Sequence, residues 1–132
     1  DIIQVPFNLL DRRFESLLLE LKSEGTEIHV RSAFLQGLLL MSPNELPAFF
    51  QPLKAWLSEF NEAFPSTELK INAALQFCLN HPAIDKTVIG INTNDQLEMN
   101  IYALKKQTSS FPPIPADLPV EIIIPSMWPK SN

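Results

Sequence analysis

The chain has 132 residues, 45% hydrophobic and 19% charged, with 10 basic and 15 acidic side chains and a formal net charge of −5. This size and balance bound it to one domain or part of one and exclude a disordered chain. The lack of any Lys or Arg run argues against a nucleic-acid surface, and no apolar stretch approaches the ~20 residues that span a bilayer.

The chain opens inside an apolar run, Ile2-Ile3-Gln4-Val5, with no Met, loop or signal peptide before it, as expected of a cut within a larger domain. Residues 2–7 read as a β-strand. Asp11 is placed to cap a helix in which Phe14, Leu17, Leu18 and Leu21 share one face, and Gly25 stands where a left-handed C-cap is wanted. Residues 27–34 read as a second strand. Ser42-Pro43-Asn44-Glu45 has the form of a capping box with Pro at the first helical position. Pro52 suits the start of a further helix whose stripe is Leu53, Trp56, Leu57, Phe60 and Phe64, read as packing. Ser66 can cap the next helix, which stops before Pro82. Residues 86–91 read as a third strand. Thr93-Asn94-Asp95-Gln96 forms a second capping box, with Leu97, Ile101 and Leu104 on one helical face. Six prolines from Pro112 to Pro129 exclude a long helix beyond Ser109. That tail is expected to be irregular, with residues 121–124 a short extended piece.

The order β-α-β-α-α-β-α implies an α/β fold with parallel strands and right-handed crossovers. Two units are expected: residues 1–108, and a Pro-rich tail over 109–132. Three parallel strands cannot close a barrel and leave both edges open, while parallel sheets are normally covered on both faces. The segment therefore calls for missing strands or a partner chain. The one cysteine, Cys78, cannot staple its own fold and reads as core filler, which favours an intracellular, cytoplasmic setting.

Of three glycines, Gly37 and Gly90 fall at or just beyond strand C-terminal ends, the side where ligands bind in parallel α/β folds. Residues 90–95, leading into a capped helix, suit either an anion held by backbone N–H groups or a structural turn. Arg31 suits a phosphate, a substrate carboxylate or a surface ion pair. Neither His29 nor His81 has metal-ligand neighbours at the required spacing. No P-loop, GxGxxG, CxxC or GxSxG motif occurs.

Three segments, IIQVPFNLLD, HVRSAFLQGLLL and TVIGINTNDQLEMN, in this order and spacing, resemble the second half of aldo-keto reductases. The likeness covers about residues 1–105, from the sixth barrel strand through the eighth strand, its phosphate loop and the final barrel helix. It implies a partial (β/α)8 TIM barrel that binds a nicotinamide dinucleotide, usually NADPH, and a full-length enzyme that reduces small carbonyl compounds to alcohols. Within it, Gln4 matches the glutamine on the nicotinamide carboxamide, whose amide can both donate and accept. Arg31 takes the place of an aromatic that stacks on nicotinamide; a planar guanidinium can also stack.

The backbone from Ser32 through Phe34, Gln36 and Gly37 to Leu38 would border the pyrophosphate. Gly90 would belong to the phosphate loop, and Asn92, Thr93 and Asn94 would lie near the adenosine 2′-position. Gln96 stands where many members have an arginine, and Asn100 matches the asparagine on adenine. With Gln96 and no nearby Arg, the preference for NADPH over NADH is weakened. The family's catalytic Asp, Tyr, Lys and His come from its first barrel half, so no catalytic residue is assigned here and the chain is expected to be inactive alone. The expected partners are the missing N-terminal half or a second copy of the chain. Met127 and Trp128 either touch substrate or, for Trp128, anchor the tail.

Overall fold

The structure, a computed structural model, describes residues 1–115 and 117–130; of the predicted tail, Ala116, Ser131 and Asn132 lie outside the described residues. Three strands, β1 (Ile2–Pro6), β2 (Glu27–Arg31) and β3 (Lys86–Thr87), form one sheet in the order β1-β2-β3. Both pairings are parallel, with Gln4 beside His29, Val5 beside Val30 and Val30 beside Thr87. Side chains alternate across a strand, so Val5, Ile28 and Val30 go to one face and are buried. The other face carries Ile2, Gln4, His29, Arg31 and Lys86, and Ile2 is 64% exposed. Helices cover the first face only.

The second and third strands are shorter than expected. β2 ends at Arg31 because Ser32 adopts φ 64°, which turns the chain out of the sheet. β3 stops at Thr87, although the Val88 N–H still donates to the Val30 carbonyl at 2.7 Å. It is an edge strand with a partner on one side only, so nothing draws residues 89–91 into a longer ladder.

Helix α1 (Glu15–Ser23) is not capped by Asp11. The Asp11 carboxylate is buried and bound by the Arg13 guanidinium at 2.8 and 2.9 Å, and the helix begins four residues later. Its other end behaves as expected. Gly25 has φ 91°, its N–H donates to Lys22 O, and the Thr26 N–H reaches Leu21 O, a Schellman closure. Of the predicted stripe only Leu18 is fully buried. Leu17 is exposed, because among the described residues no helix packs on that flank.

Residues 38–53 form 3-10 turns at Leu38–Leu40, Pro43–Glu45 and Ala48–Leu53. The capping box at Ser42 starts no α-helix and its hydroxyl makes no cap bond. Pro47 holds Leu46 extended and ends the turn after one cycle. Pro52 lies in the last of these turns, directly before α2 (Lys54–Ala63). Leu53, Trp56, Leu57 and Phe60 are buried as one stripe, with the Trp56 and Phe60 rings stacked at 5.1 Å.

Helix α3 (Thr67–Leu79) has the expected Ser66 cap, which accepts from the Leu69 N–H at 3.2 Å. It lies between two core clusters. Ile71, Leu75 and Cys78 face the sheet, while Ala73 and Ala74 join the cluster of α2. Burial pushes the Cys78 thiol up to about 12, which leaves it a protonated core side chain. The buried amides of Asn72 and Gln76 donate to the Lys106 carbonyl, and Asn72 also to the Ala103 carbonyl at 2.7 Å. These bonds clamp the end of α4 (Asn94–Ala103) against α3.

The predicted core face of α4 is not buried. Leu97 and Ile101 are exposed and Leu104 half-buried, whereas Asn100 and Ala103 face inward. Clamping by α3 sets this rotation. In the tail, residues 121–123 are not extended: α5 (Val120–Ile123) is a short helix following Pro119, only Ile124 keeps an extended backbone, and Ile122 and Ile123 enter the cluster with Leu9, Leu10 and Phe50. Burial decides there over the β-preference of isoleucine.

Candidate functional site

The C-terminal ends of the three strands open into a cleft of about 810 Å³. β1 contributes Gln4. The end of β2 contributes Arg31, and the turn after it contributes Ser32, Phe34, Gln36 and Gly37. The segment after β3 contributes Gly90, Asn92, Gln96 and Asn100. The remaining expected residues lie elsewhere. Leu38 is buried in the core, the Thr93 hydroxyl is spent as a helix cap, and Asn94 is exposed at the first turn of α4. Thr67 and Ile71 of α3 also line the cleft. No sequence signal marked them, since only packing brings α3 to these loops.

The turn after β2 is conformationally costly. Ser32, Leu35 and Gln36 have φ of 64°, 49° and 55°, and Gly37 has 84°. Each non-glycine residue in this region costs on the order of 1 kcal/mol. Asn8 holds the turn in place. It is fully buried; its Oδ1 accepts from the Leu10 and Asp11 N–H groups at 2.9 Å each, and its Nδ2 donates to the Ser32 carbonyl at 3.0 Å. The N–H groups of Ser32, Ala33, Phe34 and Gln36 find no acceptor among the described residues. Ala33 is buried, Ser32 and Phe34 are half-buried and Gln36 is exposed, so donors here are free to meet a ligand oxygen or water.

At the other wall the capping box forms with a shift. The Thr93 hydroxyl accepts from the Gln96 N–H at 3.1 Å, and Gln96 Oε1 accepts from the Asn92 N–H at 2.8 Å. Of the two readings of residues 90–95, the Asn92 N–H follows the structural turn, since it is held by Gln96. Asn100 is only 7% exposed, lines the cleft, and its amide has no hydrogen-bond partner among the described residues. Arg31 is the one charged side chain lining the cleft and, among the described residues, it forms no ion pair.

A smaller cavity of about 210 Å³ adjoins the cleft and shares Arg31, Ser32 and Gln36 with it. Its far wall is the tail, residues 123–126. Trp128 is an anchor: its ring meets Phe50 at 4.8 Å and its indole N–H donates to the Ile122 carbonyl at 3.0 Å. Met127 is exposed and lines neither cavity. His29 is bound to Glu27 at 2.7 Å, and His81 lies 3.3 Å from Glu15. Among the described residues no group of three His, Cys, Asp or Glu could hold a metal ion, and no helix is long and apolar enough to cross a membrane.

Strand order, bare inner face and ligand-side cleft all describe one sector of a barrel, and solved structures carry the same sector. The holo form of the aldo-keto reductase AKR11C1 from Bacillus halodurans matches over 83% of this chain, with TM-score 0.66 and 25% identity. The fold is that of part of an aldo-keto reductase barrel. The apo form of the same reductase matches over 88% of the chain, with TM-score 0.61 and 24% identity. The chain spans 38% and 40% of the length of those two chains. No family model and no curated protein matches the sequence. The α/β class, the three parallel strands and the helical cover thus correspond to part of a TIM barrel.

Proposed function

We propose that the cleft is the dinucleotide-binding wall of an NAD(P)H-dependent aldo-keto reductase barrel, and that this chain supplies the cofactor loops without the catalytic residues. The single observation that carries this is the convergence of Gln4, the Ser32–Gly37 turn and Asn100, far apart in sequence, on one cleft. The donor set suits the group. Gln4 offers both an acceptor and a donor to a carboxamide, the unspent N–H groups of the strained turn suit pyrophosphate oxygens, and the unpartnered Asn100 amide suits an adenine edge. A bound nicotinamide would supply hydride for reduction of a carbonyl. The chain's own residues bind and orient it.

A 2′-phosphate is served less well. Near the adenosine end Gln96 is committed to the loop, and Asp95 stands in the first turn of α4. NADH is therefore expected to bind this wall at least as well as NADPH. The unpaired, buried Cys78 agrees with a reducing, cytoplasmic compartment.

Titration of NADH into the ¹⁵N-labelled chain tests the proposal. Saturable shifts at residues 32–37, Gln96 and Asn100 are expected, with weak affinity because this wall is one side of a pocket. Shifts absent from all three segments would reject it.

A second, non-enzymatic reading is favoured by the bare sheet face and by the exposed apolar side chains of α4, with Ile101 57% and Tyr102 55% exposed. Such surface calls for cover by the remaining barrel strands or by a second copy of the chain. Sedimentation of a stable dimer that ignores NADH would favour a self-associating half-barrel.

A further inference from the structure

Arg31 borders both the cleft and the small cavity beside it. That cavity has two other charged groups, Asp11 and Arg13, and they answer each other. The Arg13 guanidinium grips the buried Asp11 carboxylate through Nε at 2.8 Å and Nη2 at 2.9 Å. The net charge facing the cavity is thus the single positive charge of Arg31. Among the described residues no carboxylate pairs with Arg31. The neighbouring polar groups, Ser32 and Gln36, sit on the strained turn. At about 30 Å³ per water, a cavity of about 210 Å³ holds a molecule of some seven to ten non-hydrogen atoms. The tail wall, with Ile123, Ile124 and Pro125, gives this small space an apolar side opposite the charge.

We propose that the small cavity takes a compact carbonyl compound bearing a carboxylate, and that Arg31 pairs with that carboxylate as the specificity-determining residue. This rests on reading the adjoining cleft as the dinucleotide wall. Arg31 then serves the junction of the two cavities: its guanidinium meets the carboxylate while the carbonyl end points toward the cleft. Arg13 is excluded from this role because its fork is filled by Asp11.

The test uses the intact chain, with 2-oxobutyrate and its neutral counterpart 2-butanone as probes, followed by amide NMR. The expected result is a saturable shift at Ser32, Gln36 and Ser126 with 2-oxobutyrate and none with 2-butanone at equal concentration. Arg31→Gln should weaken 2-oxobutyrate binding by about tenfold or more, and Arg31→Lys should restore part of it. Arg31 is exposed, so both variants should melt as the parent does; if one does not, the comparison of the two probes on the parent chain still decides. Equal responses to both probes, a response that survives Arg31→Gln, or no saturable response up to the solubility of 2-oxobutyrate would each overturn the proposal. NADH titrated separately reads Gln96 and Asn100. If NADH leaves them unmoved while the oxo acid is held through Arg31, the dinucleotide reading fails and the anion site stands; the reverse pattern removes the anion site alone.

Discussion

Asn8→Ala should be the most costly single polar truncation in the chain. Asn8 is fully buried and makes three hydrogen bonds, two accepted from the Leu10 and Asp11 N–H groups and one donated to the Ser32 carbonyl. An alanine there strands two buried donors and one carbonyl. A buried polar group left without its partner costs about 1–3 kcal/mol, so the three together should cost about 3–5 kcal/mol. That is a large part of the ~5–15 kcal/mol of a whole domain. For a chain of this length the melting temperature should fall by about 11–18 °C. Urea and thermal unfolding followed by far-UV circular dichroism, at one fixed protein concentration, measures it. The loss should appear in the midpoint at unchanged m-value. The variant should also lose more of the ligand response at Ser32 than at Asn100, because Asn8 pins the former and does not touch the latter. A loss below about 1 kcal/mol would show that water or a local shift replaces the three bonds, and that the turn after β2 does not depend on Asn8.

The other expectations concern separate parts of the molecule. Gln96→Arg places a cation at the adenosine end of the cleft and should shift the NADPH-to-NADH affinity ratio toward NADPH by about three- to tenfold; an unchanged ratio by paired titrations would place the 2′-position elsewhere. The Asp85 carboxylate accepts from the Ile28 N–H and from the Lys22 ammonium, which hold it below its ordinary value of 3.8. Its stabilisation is therefore complete above that value and lost as pH falls through it toward the lower folded value, so melting curves down to about pH 3 should fall less steeply for Asp85→Asn than for the parent. Trp56→Phe removes the bond from the indole N–H to the Pro113 carbonyl, 2.8 Å long; it should cost about 1–3 kcal/mol and speed proteolysis between residues 109 and 115. Gly37→Ala should cost about 1 kcal/mol at φ 84°, whereas Gly90→Ala, where an added Cβ meets nothing within 4 Å, should leave the melting temperature unchanged.

Much of the fold was legible because its signals are local. The Schellman closure at Gly25, the caps at Ser66 and Thr93, and the buried stripe from Leu53 to Phe60 each follow from a few residues acting on their own backbone. The misread places are those where a distant partner decides. Asp11 has the chemistry of a cap, but Arg13 takes its carboxylate. Residues 121–124 have the composition of a strand, but 121–123 are helical, with Ile122 and Ile123 buried against Leu9 and Phe50. Leu97 and Ile101 keep helical spacing, yet the Asn72 and Gln76 clamp rotates α4 so that Asn100 turns inward instead. In the cleft, the 32–37 turn stands at a strand end that the sequence makes readable, whereas Gln4 and Asn100 could be chosen only because they match motif positions of the family that the sequence resembles. The role of Asn8 could not be read, since its bond to the Ser32 carbonyl joins two loops that no spacing connects.

The uncovered face of the sheet adds a constraint on where ligand chemistry can sit. Barrel interiors are normally layered with bulky apolar side chains, but here the uncovered register carries Gln4, Glu27, His29, Arg31 and Lys86 beside Ile2 and Pro6. The polar groups are not treated alike along the strands. At the N-terminal end Glu27 is bound by His29 at 2.7 Å and by Lys86 at 3.1 Å, so charge is answered locally and that end needs no further partner. One step further toward the C-terminal end Arg31 forms no ion pair among the described residues and borders the cleft. A purely structural inner face would be expected to settle both ends in the same way, because an unpaired charge enclosed in a closed barrel costs several kcal/mol. The asymmetry instead leaves the Arg31 charge unpaired where the strands point toward the cleft, the end at which parallel barrels hold their ligands.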